Sequence, residues 1–142
     1  MQKIIKNVIL CTLVICCLTS CAKGNIEGVK EMSTQKTVQE AVYENITAQE
    51  AKNIMDTQTG YVILDVRTRE EFDEKHIPDA ILIPDYEIRE KAEEILTDKN
   101  QLILVYCRSG RRSKNAAEIL VELGYKNIKE FGGIIDWPYE TE

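Results

Sequence analysis

Apolar positions in this chain fall into two kinds of block that alternate. Short β-branched runs read as strands: residues 61–66 (Tyr-Val-Ile-Leu-Asp-Val), 81–83 (Ile-Leu-Ile), 102–105 (Leu-Ile-Leu-Val) and 125–131. The run at 61–66 is almost unbroken, the pattern of a strand covered on both faces. Residues 42–46 alternate and predict a short first strand. Between these runs the spacing turns helical. Thr47-Ala48-Gln49-Glu50 forms a capping box, with Ala51, Ile54 and Met55 as the inner face of the helix behind it. Residues 67–75 predict a short acidic helix. Asp85 is placed to cap a helix over 86–96, with Ile88, Ala92, Ile95 and Leu96 inward. Asn115, Ala116, Ala117, Ile119, Leu120 and Leu123 repeat at helical spacing up to a stop at Gly124. Gly132-Gly133 leads into a short terminal helix through Trp137. Strands alternating with helices predict an α/β fold: a parallel sheet of about five short strands with helices on both faces.

In such sheets the reactive group sits where a strand's C-terminal end meets the next helix. Here that place holds Tyr106-Cys107-Arg108-Ser109-Gly110-Arg111-Arg112-Ser113. A single cysteine follows a buried strand and precedes a helix N-terminus, where backbone N–H groups lack partners and the helix dipole is positive. Three arginines, Arg108, Arg111 and Arg112, add side-chain charge. Such a bend stabilises a thiolate and any anion beside it, and can lower a thiol pKa from about 8.5 to between roughly 3.5 and 7.5. The plainer alternative, a cysteine acting as an inert small hydrophobe, fits poorly with a following turn of Arg, Ser and Gly.

Charge and cysteine usage narrow the chemistry. The chain has 142 residues, enough for one domain, and a net charge of −6. An acidic body with one basic bend offers no basic face for nucleic acid, so none is expected as a partner. Four cysteines (Cys11, Cys16, Cys17 and Cys21) crowd the N-terminus and Cys107 stands alone, with His76 the one histidine. No spacing suits zinc, so neither a metal nor a cofactor is expected. A monomer is expected.

The N-terminal stretch reads as an export signal. Residues 1–6 are short and basic, and residues 7–18 are apolar but too short to span a bilayer comfortably. The run ends in Leu18-Thr19-Ser20-Cys21, which resembles the bacterial lipobox. That resemblance implies cleavage before Cys21, diacylglycerol on its sulfur and N-acylation of the new terminus. Two or more acyl chains anchor stably where one would be marginal. The expected organisation is a signal peptide over 1–20, a lipidated terminus and flexible tether over 21–42, and a folded domain over 43–142, held at the bacterial cell envelope facing outside the cytoplasm.

Four stretches in the body carry a family signature. They are Asp65-Val66-Arg67-Thr68-Arg69-Glu70-Glu71-Phe72, the run from His76 to Pro84, the bend from Tyr106 to Ser113, and Gly132-Gly133-Ile134-Ile135-Asp136-Trp137. In this order they closely resemble a single-domain rhodanese, or thiosulfate sulfurtransferase, over about residues 43–138. The resemblance implies that Cys107 accepts sulfur from a small anionic donor such as thiosulfate and holds it as a persulfide. An external thiol, a protein acceptor or cyanide then removes that sulfur. It further implies that the bend from Arg108 through Ser109, Gly110, Arg111 and Arg112 to Ser113 binds substrate, its N–H groups cradling the persulfide. Arg108 and Arg111 are the expected contacts for the donor's oxyanion. Asp65 and Arg67 are expected as a structural pair beside the bend, His76 as a hydrogen-bonded structural histidine, Trp137 as core, and Gly132-Gly133 as a place of close backbone approach.

Two rivals stand beside this reading. A cysteine phosphatase or arsenate reductase resembles the rhodaneses but uses a loop one residue longer than the four that separate Cys107 from Arg112 here. A membrane-tethered module could instead bind sulfane sulfur or sense redox state without fast turnover.

Overall fold

The computed structural model describes residues 43–142. The expected signal peptide, the lipidation site Cys21 and the tether lie outside the described residues. Five strands and four helices follow one another as β1 (Glu44–Asn45), α1 (Ala48–Thr57), β2 (Tyr61–Asp65), α2 (Arg69–Glu74), β3 (Ile81–Leu82), α3 (Ile88–Ile95), β4 (Leu102–Cys107), α4 (Arg111–Glu122) and β5 (Asn127–Gly133), closed by a 3₁₀ turn at Ile134–Asp136. All strand pairs are parallel, in the order β1-β5-β4-β2-β3. The long apolar run of β4 therefore lies at the centre, between β5 and β2.

Strand alternation divides the core into two layers. Ile103, Val105 and Cys107 of β4 point to one face with Leu64 and Val66, where Ile88, Ala92 and Leu96, then Ala116, Ala117 and Leu120 of α4, cover them. Leu104 and Tyr106 point to the other, against Ala51 and Ile54 of α1, Phe131 and Trp137. Burying each large aliphatic side chain contributes roughly 1.5–3 kcal/mol. Both layers are built of such residues, so the sheet is held from both sides and its C-terminal edge is free to carry strained turns.

Two expectations change at α3. Asp85 does not cap it. The Asp85 N–H donates to the Val66 carbonyl at 3.1 Å, which straps the chain to the end of β2, and the helix starts only at Ile88 with no side-chain cap. Ile95 is 46% exposed: the buried line of this helix runs through Ile88, Ala92 and Leu96 at four-residue steps, and Ile95 falls beside it.

Candidate active site

β4 ends on Cys107, the chain bends through Arg108, Ser109 and Gly110, and α4 starts at Arg111. The bend is made possible by two glycines. Gly110 takes φ 93°, a left-handed conformation costly to a residue with a side chain. Gly133, paired with Cys107 across the sheet, lies so close that a Cβ there would stand 2.2 Å from the Arg108 carbonyl oxygen. The register between β4 and β5 slips at this point: Val105 pairs with Glu130, and Cys107 with Gly133. β5 thus carries one extra residue, a bulge that brings its backbone under the bend.

Cys107 is 1% exposed. Its Sγ accepts the Gly110 N–H at 3.1 Å, and the Ser113 hydroxyl lies 3.4 Å away. Burial alone pushes the thiol up. The Ser113 hydroxyl and the amides of Ser113, Ser109 and Gly110 oppose this and prevail, so the thiol lies below its ordinary value. These amides are free because α4 lacks any side-chain cap and has no acidic residue in its first turn. What the bend can do chemically follows directly: it holds a negative sulfur on neutral N–H donors at the positive end of a helix.

The arginines divide into two kinds. Arg112 is committed to a partner, its two terminal nitrogens donating to the two Glu71 oxygens at 2.7 and 2.8 Å. That bidentate pair holds the Glu71 carboxyl down at about 2. It ties α4 to α2, and it leaves the Arg112 charge beside the sulfur without its donors pointing at it. Arg108 and Arg111 are exposed at the rim, as is Ser109. Neither arginine is among those that form an ion pair within the described residues.

Asp65 and Arg67 make a buried ion pair. Arg67 Nε lies 2.9 Å from Asp65 Oδ2 and Nη2 lies 2.5 Å from the same oxygen, and Nη2 also donates to the Lys75 carbonyl. The guanidinium lies 5.7 Å from the centre of the Tyr106 ring, and the Tyr106 hydroxyl accepts the Ile77 N–H. Tyr106 points away from Cys107, so the pair braces the far face of the sheet and does not touch the sulfur. His76 is held by Nδ1 at 3.0 Å from the Phe72 carbonyl and stacks on the Phe72 ring at 3.9 Å. Trp137 packs in the α1-side layer. Among the described residues no group of three His, Cys, Asp or Glu side chains is arranged to hold a metal.

Sequence reasoning overlooked two acids here. Glu71 completes a second capping box with Thr68, and the T-x-x-E spacing was visible in the chain. Glu130 is 2% exposed, on the same face as Ile128 and close to Ser113. Its spacing of two from Ile128 along a strand was the available signal.

A thiol whose pKa is lowered by hydrogen bonds at the C-terminal edge of a parallel sheet is the arrangement of a class of proteins that use cysteine as a nucleophile. Comparison with known proteins narrows it. The rhodanese-like domain profile matches residues 47–138, and the chain belongs to this family. It is 41% identical over 73 residues to thiosulfate sulfurtransferase PspE of Escherichia coli, covering 51% of this chain and 70% of that protein. It is 33% identical over 97 residues to thiosulfate sulfurtransferase GlpE of Coxiella burnetii, covering 68% of this chain and 88% of that one. Among solved structures it resembles a rhodanese with anions from E. coli, at TM-score 0.55 and 36% identity over 58% of this chain and 96% of that one. It also resembles a rhodanese-related protein from Thermoplasma volcanium, at TM-score 0.62 and 31% identity over 70% of this chain and 98% of that one. The family and these relatives support sulfurtransferase activity.

Proposed function

We propose that this protein moves sulfane sulfur from an anionic donor such as thiosulfate to a thiophilic acceptor, through a persulfide on Cys107. The observation that carries this is the Gly110 N–H on Cys107 Sγ at 3.1 Å, with the Ser109 amide on the bend and the Ser113 amide in the first turn of α4 acting on the same sulfur.

The Cys107 thiolate attacks the outer sulfur of thiosulfate. A new S–S bond forms to Sγ, the bond between the two thiosulfate sulfurs breaks, and its electron pair leaves on sulfite. The negative charge now sits on the outer sulfur of the persulfide, where the amides of the bend can follow it. Hydrogen bonds to a charged group are worth about 1.5–3 kcal/mol each, so two or three of them are a large fraction of what holds the intermediate. An external thiolate or cyanide then attacks that outer sulfur, and the electron pair of the S–S bond returns to Sγ. Donor, leaving group and intermediate are all anions, and exposed Arg108 and Arg111 at the rim are the groups assigned to the donor's sulfonate oxygens.

We read the acceptor as external, since Cys107 is the one cysteine among the described residues and Cys21 is assigned to the lipid. We also propose that Cys21 carries a lipid anchor that holds the domain at the cell envelope, a reading supported by the basic, apolar leader ending in Leu-Thr-Ser-Cys. A Cys21→Ala chain is then expected to leave the membrane fraction, and retention there contradicts the anchor.

The test of the transferase is an intact mass. The purified chain incubated with thiosulfate gains one sulfur atom, loses it to cyanide, and gains none in Cys107→Ser. Thiosulfate-dependent loading that survives Cys107→Ser contradicts the assignment, as does phosphate-ester hydrolysis without any loading.

A further inference from the structure

Glu130 is a buried acid that the sulfur chemistry above leaves unused. β5 sends it, like Ile128, towards α4. The bulge beside it leaves the Gly132 N–H outside the sheet ladder, and Glu130 Oε1 accepts that N–H at 2.9 Å. The same oxygen lies 2.6 Å from Ser113 Oγ. Ser113 has one hydroxyl proton and four acceptors within reach: Glu130 Oε1 at 2.6 Å, the Gly110 carbonyl at 3.0 Å, Cys107 Sγ at 3.4 Å and the Gly132 carbonyl at 3.4 Å. Oε1 already acts as an acceptor towards Gly132, and its contact with Ser113 is the shortest of the four. The proton therefore lies mainly towards Glu130, which leaves Ser113 only a long and weakened hold on Sγ at 3.4 Å.

We propose that Glu130 is a positioning residue that sets the basicity of Cys107 through Ser113, by drawing the one serine proton away from the sulfur. The bend amides stabilise the thiolate, and a fully stabilised thiolate is a poorer nucleophile: intrinsic reactivity falls with pKa at a slope of about 0.4–0.5. Glu130 limits that stabilisation by one hydrogen bond and keeps the attacking sulfur basic.

The other charges that bear on the sulfur come from every neighbouring element. Arg112 of α4 lies within electrostatic reach of Cys107, as it does of Asp85 after β3, and it is tied to Glu71 of α2. Arg108 and Arg111 sit on the bend, while α3 offers this layer only Ile88 and Ala92. Tyr43, ahead of β1, has its hydroxyl pushed up by burial, then by Glu118 of α4 and by Glu130 itself.

The inference rests on Cys107 being the sulfur nucleophile, so its readout is chosen not to depend on sulfur transfer. It is the rate of iodoacetamide alkylation of Cys107 in the full chain as a function of pH, followed as the mass of the Cys107 peptide. In Glu130→Gln the neutral amide oxygen keeps the Gly132 N–H but accepts less strongly than a carboxylate, so the Ser113 proton is partly released to Sγ; in Glu130→Leu both bonds are lost and Ser113 turns to Sγ. The alkylation midpoint is expected to fall in Glu130→Gln, and by about one pH unit in Glu130→Leu. The high-pH plateau is expected to drop about threefold for each unit of that fall. In a Ser113→Ala background, Glu130→Gln is expected to move the midpoint by less than half as much. A midpoint that stays or rises in Glu130→Gln overturns the proposal, and that variant retains the bulge contacts if Glu130→Leu does not fold. Equal falls with and without Ser113 overturn the route through the serine. Thiosulfate loading is scored on the same samples. Wild-type protein that shows the alkylation pattern without loading contradicts sulfur transfer and leaves the role of Glu130 standing.

Discussion

The N-termini of α2 and α4 face the same problem and solve it differently. Each exposes backbone N–H groups with no partner inside the helix. At α2 the helix answers for itself: Thr68 accepts the Glu71 N–H, and the Glu71 carboxylate accepts the Thr68 N–H. The same box closes α1 with Thr47 and Glu50. At α4 the cap position is Gly110, with no side chain to offer and no acid in the first turn. Its amides converge on Cys107 instead. A helix that caps itself is structural. One that leaves its amides to a sulfur can hold that sulfur negative and, after transfer, hold a different anion in nearly the same place. Because the donors are neutral amides, no counter-charge has to be separated when the anion leaves. Arg112 fits this division: its charge is balanced by Glu71, so it stiffens the site without clamping the sulfur.

The comparison can be broken most severely at Gly133. Gly133→Ala puts a Cβ 2.2 Å from the Arg108 carbonyl, which only backbone movement relieves. It is expected to cost about 3 kcal/mol or more of stability by denaturant titration, and to abolish sulfur loading in whatever folds. Wild-type stability and loading would mean that the bend is not held from beneath.

Glu71→Gln leaves an oxygen to accept the Thr68 N–H but removes the charge that pairs with Arg112. The loss is expected to be about 1–3 kcal/mol at pH 7. Glu71 titrates at about 2 in the folded protein against an ordinary value near 4.5, so its folded form is depressed. Its contribution is therefore complete above pH 4.5 and fades as pH falls towards 2. The stability gap between wild type and variant should narrow over that window; a gap constant with pH contradicts the ion pair.

Thr47→Ala serves as the control. It unmakes the box at α1, away from the sulfur, and is expected to cost about 1 kcal/mol with loading unchanged. The smallest effect belongs to the rim. Arg108→Ala and Arg111→Ala are each expected to raise KM for thiosulfate by about threefold, with kcat little changed and the effect shrinking in high salt. A collapse of kcat instead would move the anion hold from amides to side chains.

Much of this was readable in the chain, and the failures have physical causes. β4 was legible because a β-branched apolar run bounded by polar turns allows few readings, and the box at Thr47 because it is local. Asp85 misled because a residue with capping chemistry was spent on a backbone tie to Val66, a partner set by sheet order. Ile95 misled because four apolar positions fit an inner face on paper while α4 covers only three. The pairing of Arg112 with Glu71 spans 41 residues and no local pattern encodes it. Glu130 was passed over because a carboxylate rarely goes inside, and only the free N–H of the bulge and the Ser113 hydroxyl give it a reason to be there.

The most direct test of the amide-held sulfur is the ionisation of Cys107 itself, followed as ultraviolet thiolate absorbance of the chain minus that of its Cys107→Ser variant across pH. A midpoint clearly below the value of about 8.5 for a free thiol is predicted. A midpoint at or above it would mean that burial prevails over the bend's hydrogen bonds, contradicting the account.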